Sequence, residues 1–254
     1  MATNPVLTIS DGGAAARPEA GVRVSAIDIG SNSIRQTIAD VSPTGVIRVV
    51  DEMKAAPRLG AGLHNRGMLS EVAVQNALVV LGRMATLAKQ LGVERTEVVA
   101  TSAVREAANG SQFMKLVREE TGLKINVLHG DDEARLAFRS ALAHFELGIG
   151  RAVVMDIGGG SLELALSADG LVDRLLSLPL GAIRMTEKYL APGKKNGLQK
   201  LRKHVRTELR KYLAVRHWHT QRIICSGGTF TTLGSIYLAR TGMADAKTVH
   251  GTVV

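Results

Sequence analysis

Ala26-Ile27-Asp28-Ile29-Gly30-Ser31-Asn32-Ser33 closes an apolar run that begins at Val22 and reads as a buried strand. The run stops at an acid, a glycine and three small polar residues, and Ile34 to Val41 then reads as a second strand. A tight turn of this composition exposes backbone N–H groups and hydroxyls, which suits a phosphate. The chain repeats the pattern. Val153-Val154-Met155-Asp156-Ile157-Gly158-Gly159-Gly160-Ser161 is followed by the strand-like Leu162 to Leu166, so Asp-Ile-Gly-x-x-Ser occurs twice, at Asp28 and Asp156. The repeat implies two related domains facing one another, with a phosphate loop on each.

The 254 residues accommodate one large or two modest domains. Aromatic residues make up only 3%, so the core must be built from Val, Ile, Leu, Ala and Met. A formal net charge of +9 favours a polyanionic partner: phosphate chains, nucleotides, nucleic acid or an anionic membrane. Cys225 is the only cysteine, which excludes an internal disulfide and a thiolate metal cluster and fits a reducing cytosol. It is expected as a small buried apolar residue. No apolar run approaches the roughly 20 residues that span a bilayer. Residues 1–20 lack the charged start and apolar centre of a signal peptide and are expected to form a disordered tail.

Along the chain, Gly45 to Met53 reads as a third strand, Arg58 to Gly67 as a loop, and Ser70 as the N-cap of a long helix to about Gln90. Thr96 to Ala100 is a strand ending in Thr101-Ser102-Ala103-Val104-Arg105, and strand ends are where open sheets place ligands. After a helix from Ser111 to Glu120 and a strand from Ile125 to Leu128, Gly130-Asp131-Asp132-Glu133-Ala134-Arg135 opens a helix to about Phe145. Its three acids either complement the helix dipole or supply a base. The second half then gives strands at 152–157, 162–166 and 171–178, a helix from Ile183 to Leu190 and a basic helix from Leu198 to His217. Arg222 to Cys225 is a strand that runs into Ser226-Gly227-Gly228-Thr229, a third glycine-rich turn, and phosphates dock at such helix starts. The closing stretch, Lys247 to Val254, reads as strand-like.

Taken together, the duplicated Asp-Ile-Gly turns, the third glycine turn and Gly-Asp-Asp-Glu-Ala-Arg resemble the exopolyphosphatase/guanosine pentaphosphate phosphohydrolase (Ppx/GppA) family, from Val22 to Val254. The resemblance implies an α/β fold of two ribonuclease-H-like domains of the actin and sugar kinase ATPase type around a cleft. These would be residues 21–128 and 129–254, the second incomplete, since family members usually continue further. It implies Mg2+-dependent release of terminal phosphate from polyphosphate by water attack. Glu133 matches the general base. Asp156 and Asp28, with Glu163, match acids that hold or orient magnesium. Ser31, Asn32, Ser33, Gly158, Gly159, Gly160, Ser161, Ser226, Gly227, Gly228 and Thr229 match phosphate-cradling turns, and Arg105 matches an arginine that contacts the chain. Guanosine pentaphosphate is the alternative substrate; neither a membrane nor a specific nucleic acid is an expected partner. Homodimerisation follows from the same likeness, and a cytoplasmic location from the cysteine usage. Outside hydrolysis, the motifs leave two other classes: an ATP-binding module of the wider superfamily, and a non-catalytic polyanion binder.

Overall fold

The computed structural model describes residues 21–145, 147, 149–213, 219–220, 222–243 and 249–253. The expected tail, residues 1–20, lies outside them. The chain divides into two compact units, one ending at His129 and taking in Ala143–Phe145, the other built from Gly130–Leu142 and the chain from residue 146.

In the first unit, β1 (Val22–Ile29), β2 (Ile34–Val41), β3 (Ile47–Ala55), β4 (Arg95–Ala100) and β5 (Ile125–Val127) form one sheet in the order β3-β2-β1-β4-β5. The first three strands are an antiparallel meander; β4 then adds parallel to β1, and β5 parallel to β4. In the second unit, β6 (Arg151–Ile157), β7 (Leu162–Ala168), β8 (Leu171–Leu178) and β9 (Arg222–Ser226) take the order β8-β7-β6-β9. Again three strands meander and the fourth joins the first in parallel. The repeat read from Asp-Ile-Gly is therefore a repeat of strand order and direction.

The helices follow from apolar spacing. After the single turn α1 (Leu63–Arg66), α2 (Glu71–Gln90) starts where Ser70 Oγ accepts the Ala73 N–H at 3.3 Å. Val74, Ala77, Leu78, Leu81 and Met84 lie on one face and pack with Ile27, Ile29, Ile34 and Phe113. α3 (Ser102–Glu106) and α4 (Gly110–Thr121) complete that unit's helices, and α5 (Gly130–His144) opens on Asp131, Asp132 and Glu133. The second core joins Val153, Leu162, Leu164, Leu166 and Leu178 to Leu201, Val205 and Leu209 of α7 (Gly197–Tyr212). No helix among the described residues is long and apolar enough to cross a membrane.

Four expectations change. The helix expected over 183–190 is a short α6 (Ala182–Met185) that widens into a π-helical turn, Thr186–Leu190. The basic helix ends at Tyr212, and 214–218 lie outside the described residues. Within the stretch expected as a closing strand, Val249–Val253 forms a turn in which the Thr252 N–H donates to the Val249 carbonyl at 3.1 Å; residues 247, 248 and 254 lie outside the described residues. Cys225 is exposed rather than buried; it lies on β9, the edge strand of its sheet among the described residues.

One buried ion cluster locks the first meander. Arg23, Asp40 and Arg48 face one another across β1, β2 and β3 in register. Asp40, whose side chain is fully buried, accepts from Arg23 at 2.7 Å and Arg48 at 2.8 Å, and Arg23 also donates to the Leu91 carbonyl at 3.0 Å. The Arg23 hydrogen bond chiefly, with Arg48 assisting against the cost of burial, holds the Asp40 carboxyl down at about 2. Its folded-state value lies below the ordinary one, so its stabilisation is present above about pH 4 and is lost as pH falls through about 2. Asp40→Asn is expected to cost about 2 kcal/mol at pH 7. Thermal or urea melts should show the gap to wild type closing by pH 2; a gap that persists there would mean the cluster acts through packing alone.

Candidate active site

The two turns have one hydrogen-bond plan. After β1, the Gly30 N–H donates to the Ser33 carbonyl at 3.0 Å; after β6, the Gly158 N–H donates to the Ser161 carbonyl at 3.1 Å. In the first turn the Ser31 and Asn32 carbonyls accept from the Gly60 and Arg58 amides, at 2.8 and 3.1 Å. In the second, the Gly158, Gly159 and Gly160 carbonyls accept from the Ala182, Ile183 and Gly181 amides, at 2.9, 2.9 and 3.2 Å. Arg184 Nε adds a second bond to Gly160, at 2.8 Å. Each turn thus has its carbonyls tied down by a later segment. The amides of Ser31, Asn32 and Ser33, and of Gly159, Gly160 and Ser161, have no backbone acceptor among the described residues. Consecutive amides left this way make an anion-binding concavity. The tie-down requires Gly181, since a Cβ there would collide with the backbone of Gly160 and Ser161.

Acids gather at the base of the second turn. Asp156 is the penultimate residue of β6, with Glu163 as its register partner on β7 and Ser226 as its partner on β9. Gly227, at φ 90°, lies against the Asp156 carboxylate, where a side chain would not fit. Glu163 is buried and accepts hydrogen bonds from Ser177 Oγ at 2.9 Å and from the Ser161 hydroxyl. Burial pushes its pKa up to about 7; the negative charges of Glu133 and Asp156 push the same way, against the two serines. Glu133 comes from the first turn of α5, whose leading residue Gly130 packs directly on Ser177. One serine therefore touches both the start of the Glu133 helix and the buried acid.

The first turn differs in charge. Asp28 has Arg35 as its register partner, where Asp156 has Glu163. Ser31 Oγ shares a hydrogen bond with Ser102 Oγ at 2.9 Å, and the Thr101 N–H donates to the Ile29 carbonyl at 3.2 Å, so the turn is joined to the segment that carries Arg105. Arg105 sits half-buried on α3 and spends Nη1 on the Leu128 carbonyl at 2.7 Å. Gly228 and Thr229 begin α8 (Gly228–Arg240). The second unit thus brings together Glu133, Asp156, Glu163, Ser161, the three glycines at 158–160, Ser226 and Gly227. The first unit gathers Asp28, Ser31, Asn32 and Ser33 near Ser102.

Sequence reading passes over several residues here. Ser177, Arg184 and Gly181 lie far along the chain from the turn they support. Arg58 adopts a left-handed backbone, φ 57°, while its amide holds Asn32, and no local motif marks it. Pro179-Leu180-Gly181-Ala182 carried the one available signal, a glycine just before a helix.

Oxygen donors of this kind suit magnesium, and the mutual repulsion registered at Glu163 is what a cation would relieve. Among the described residues no three His, Cys, Asp or Glu side chains gather tightly enough to hold a metal unaided. The donor set fits an ion held by one or two carboxylates, with water and phosphate oxygens filling the remaining positions.

A turn that offers amides on one side and acids at its base is the device of a phosphate-handling α/β protein, and the repeated strand order gives this chain two copies. The Ppx/GppA phosphatase family model matches residues 37–251, and the chain belongs to that family. It is 36% identical over 169 residues to exopolyphosphatase 1 of Mycobacterium leprae, covering 66% of this chain and 50% of that protein. It is 32% identical over 165 residues to the guanosine-5'-triphosphate,3'-diphosphate pyrophosphatase of Photobacterium profundum, covering 65% and 33%. The crystal structure of the Aquifex aeolicus Ppx/GppA family member superposes with a TM-score of 0.68 at 30% identity, over 86% of this chain and 70% of that one. The chain spans about half the length of the exopolyphosphatase relatives it matches.

The raised Glu163 has a measurable consequence. Its folded-state value exceeds its ordinary 4.5, so its contribution is fully present below pH 4.5 and is lost as pH rises through about 7. Glu163→Gln removes the cost of ionising a buried carboxyl. In metal-free buffer the variant is expected to exceed wild type in stability at pH 8 by up to about 3 kcal/mol, with the gain absent at pH 4.5. Melts at the two pH values decide it; an equal difference at both would show that the carboxyl is not ionising against its surroundings.

Proposed function

We propose that the chain is an exopolyphosphatase that releases the terminal phosphate of inorganic polyphosphate with Mg2+. The observation that carries the reading is the pairing of amide-lined turns with the acids Glu133, Asp156 and Glu163. The name of the M. leprae relative supports the substrate. On this reading the amides of Gly159, Gly160 and Ser161 hold non-bridging oxygens, and the glycine turn at Ser226 to Thr229 closes on the same acids. Asp156 and Glu163 would hold magnesium. The ion, when bound, supplies charge neutralisation that lets a polyanion approach carboxylates. Glu133 takes a proton from the attacking water. The water oxygen bonds to the terminal phosphorus as the bond to the bridging oxygen breaks, and the shortened chain leaves with that oxygen. Asp28, set beside Arg35, serves with Ser31, Asn32, Ser33 and Arg105 to position the chain rather than to bind the ion. The enzyme would work in the cytoplasm as a homodimer of two ribonuclease-H-like domains, 21–128 and 129–254.

General-base catalysis is worth roughly 10²–10⁴-fold, so Glu133→Gln should lower phosphate release from polyphosphate by at least about 100-fold without weakening binding. Chelating the divalent ion should abolish release and added magnesium should restore it. Preferred release from guanosine pentaphosphate would reassign the substrate within the family. Binding of polyphosphate with no release by wild type would leave a polyanion binder.

A further inference from the structure

The basic helix α7 takes no part in the chemistry above. Leu201, Val205 and Leu209 pack into the second core. On the other side Arg202, Lys203, Arg206 and Arg210 are all exposed. Arg202, Arg206 and Arg210 stand four residues apart, so they form one ridge about 12 Å long. Lys203 lies beside it. The helix has a single acid, Glu208; it is mostly buried and pairs with Lys211. Among the described residues no carboxylate pairs with any of the four ridge cations.

The helix's own stability does not account for the ridge. Like charges one turn apart destabilise a helix. Lys200, Arg202 and Lys203 also lie in its first two turns, at the end whose dipole disfavours cations, and no acid stands in the first turn to offset them. A polyanion lying along the ridge would supply the missing counter-charge. Among the described residues the four ridge positions carry no aromatic ring of the kind on which single-stranded nucleic acid stacks. Tyr189 of the π-helical turn packs at a tilt against His204, 5.3 Å between centroids, and Tyr212, the last residue of α7, is exposed. That same turn continues α6, whose first two amides tie down the Gly158 and Gly159 carbonyls.

We propose that the outer face of α7 is a track for a linear polyphosphate chain, gripping units other than the terminal one. This rests on polyphosphate being the substrate. The test uses the full chain and two probes, long-chain polyphosphate and tripolyphosphate, with binding measured over a series of salt concentrations. Arg202→Glu/Arg206→Glu/Arg210→Glu is compared with Arg83→Glu/Lys89→Glu/Arg118→Glu, three exposed cations of the first unit whose reversal changes net charge equally. The ridge variant should bind long-chain polyphosphate at least about tenfold more weakly with a shallower salt dependence, while the control stays within about twofold of wild type. Tripolyphosphate binding should be unchanged in both. Equal weakening by the two variants, or equal loss of long and short probes, would overturn the track. Single-stranded RNA competing as well as polyphosphate, phosphate for phosphate, would also overturn it and assign the ridge to nucleic acid. Ridge-dependent binding by a wild type that releases no phosphate would uphold the track while refuting the hydrolytic reading.

Discussion

The Gly160 carbonyl receives two donors, the Gly181 amide at 3.2 Å and the Arg184 guanidinium at 2.8 Å, and the shape of the second turn depends on them. A glycine run has the largest backbone entropy to lose. Left alone, Gly158-Gly159-Gly160 would sample many conformations and present no fixed set of donors. Bonding every carbonyl of the run to the start of α6 fixes it from the side away from the unbonded amides. A phosphate would then meet donors already in position. That is the condition under which electrostatic stabilisation needs little rearrangement during reaction.

The same solution occurs in the first unit with different parts. There the tethers are Arg58 and Gly60, in a segment that is neither strand nor regular helix, and Arg58 accepts a left-handed backbone to reach Asn32. What the two copies do not share is charge. Asp28 is matched across the sheet by Arg35, whereas Asp156 is matched by Glu163. Two acids side by side, with Glu133 adding its charge, require a proton or a cation. The two turns thus share one hydrogen-bond plan, while the seventh residue after the acid, Arg35 in one and Glu163 in the other, sets their local charge apart.

Much of this was legible in the chain because it is local. Strand, acid, glycine turn and strand lie within a dozen residues of one another, and their repetition announced two sheets of one topology. The Ser70 cap and the apolar spacing of α2 are likewise local. The supports were not legible. Ser177 reaches Glu163 from the neighbouring strand, 14 residues on, and Arg184 reaches Gly160 from 24 residues away. Such contacts exist only once the meander has formed. The exposure of Cys225 fails for a related reason: composition predicts burial for cysteine, but Cys225 lies on the edge strand of its sheet among the described residues.

Glu163 also explains why a buried acid is tolerable in a chain with so much positive charge elsewhere. Its neighbours within the sheet are serines and acids, so the +9 excess of the chain does little to stabilise its ionised form locally. Burial raises its pKa to about 7, and either a proton or a metal ion would meet its need for positive charge. On the proposed reading, a cation held beside Asp156 would take the place of that proton. The cost of burying the carboxyl would then fall when such an ion binds, which would link the stability of the second unit to its ligand.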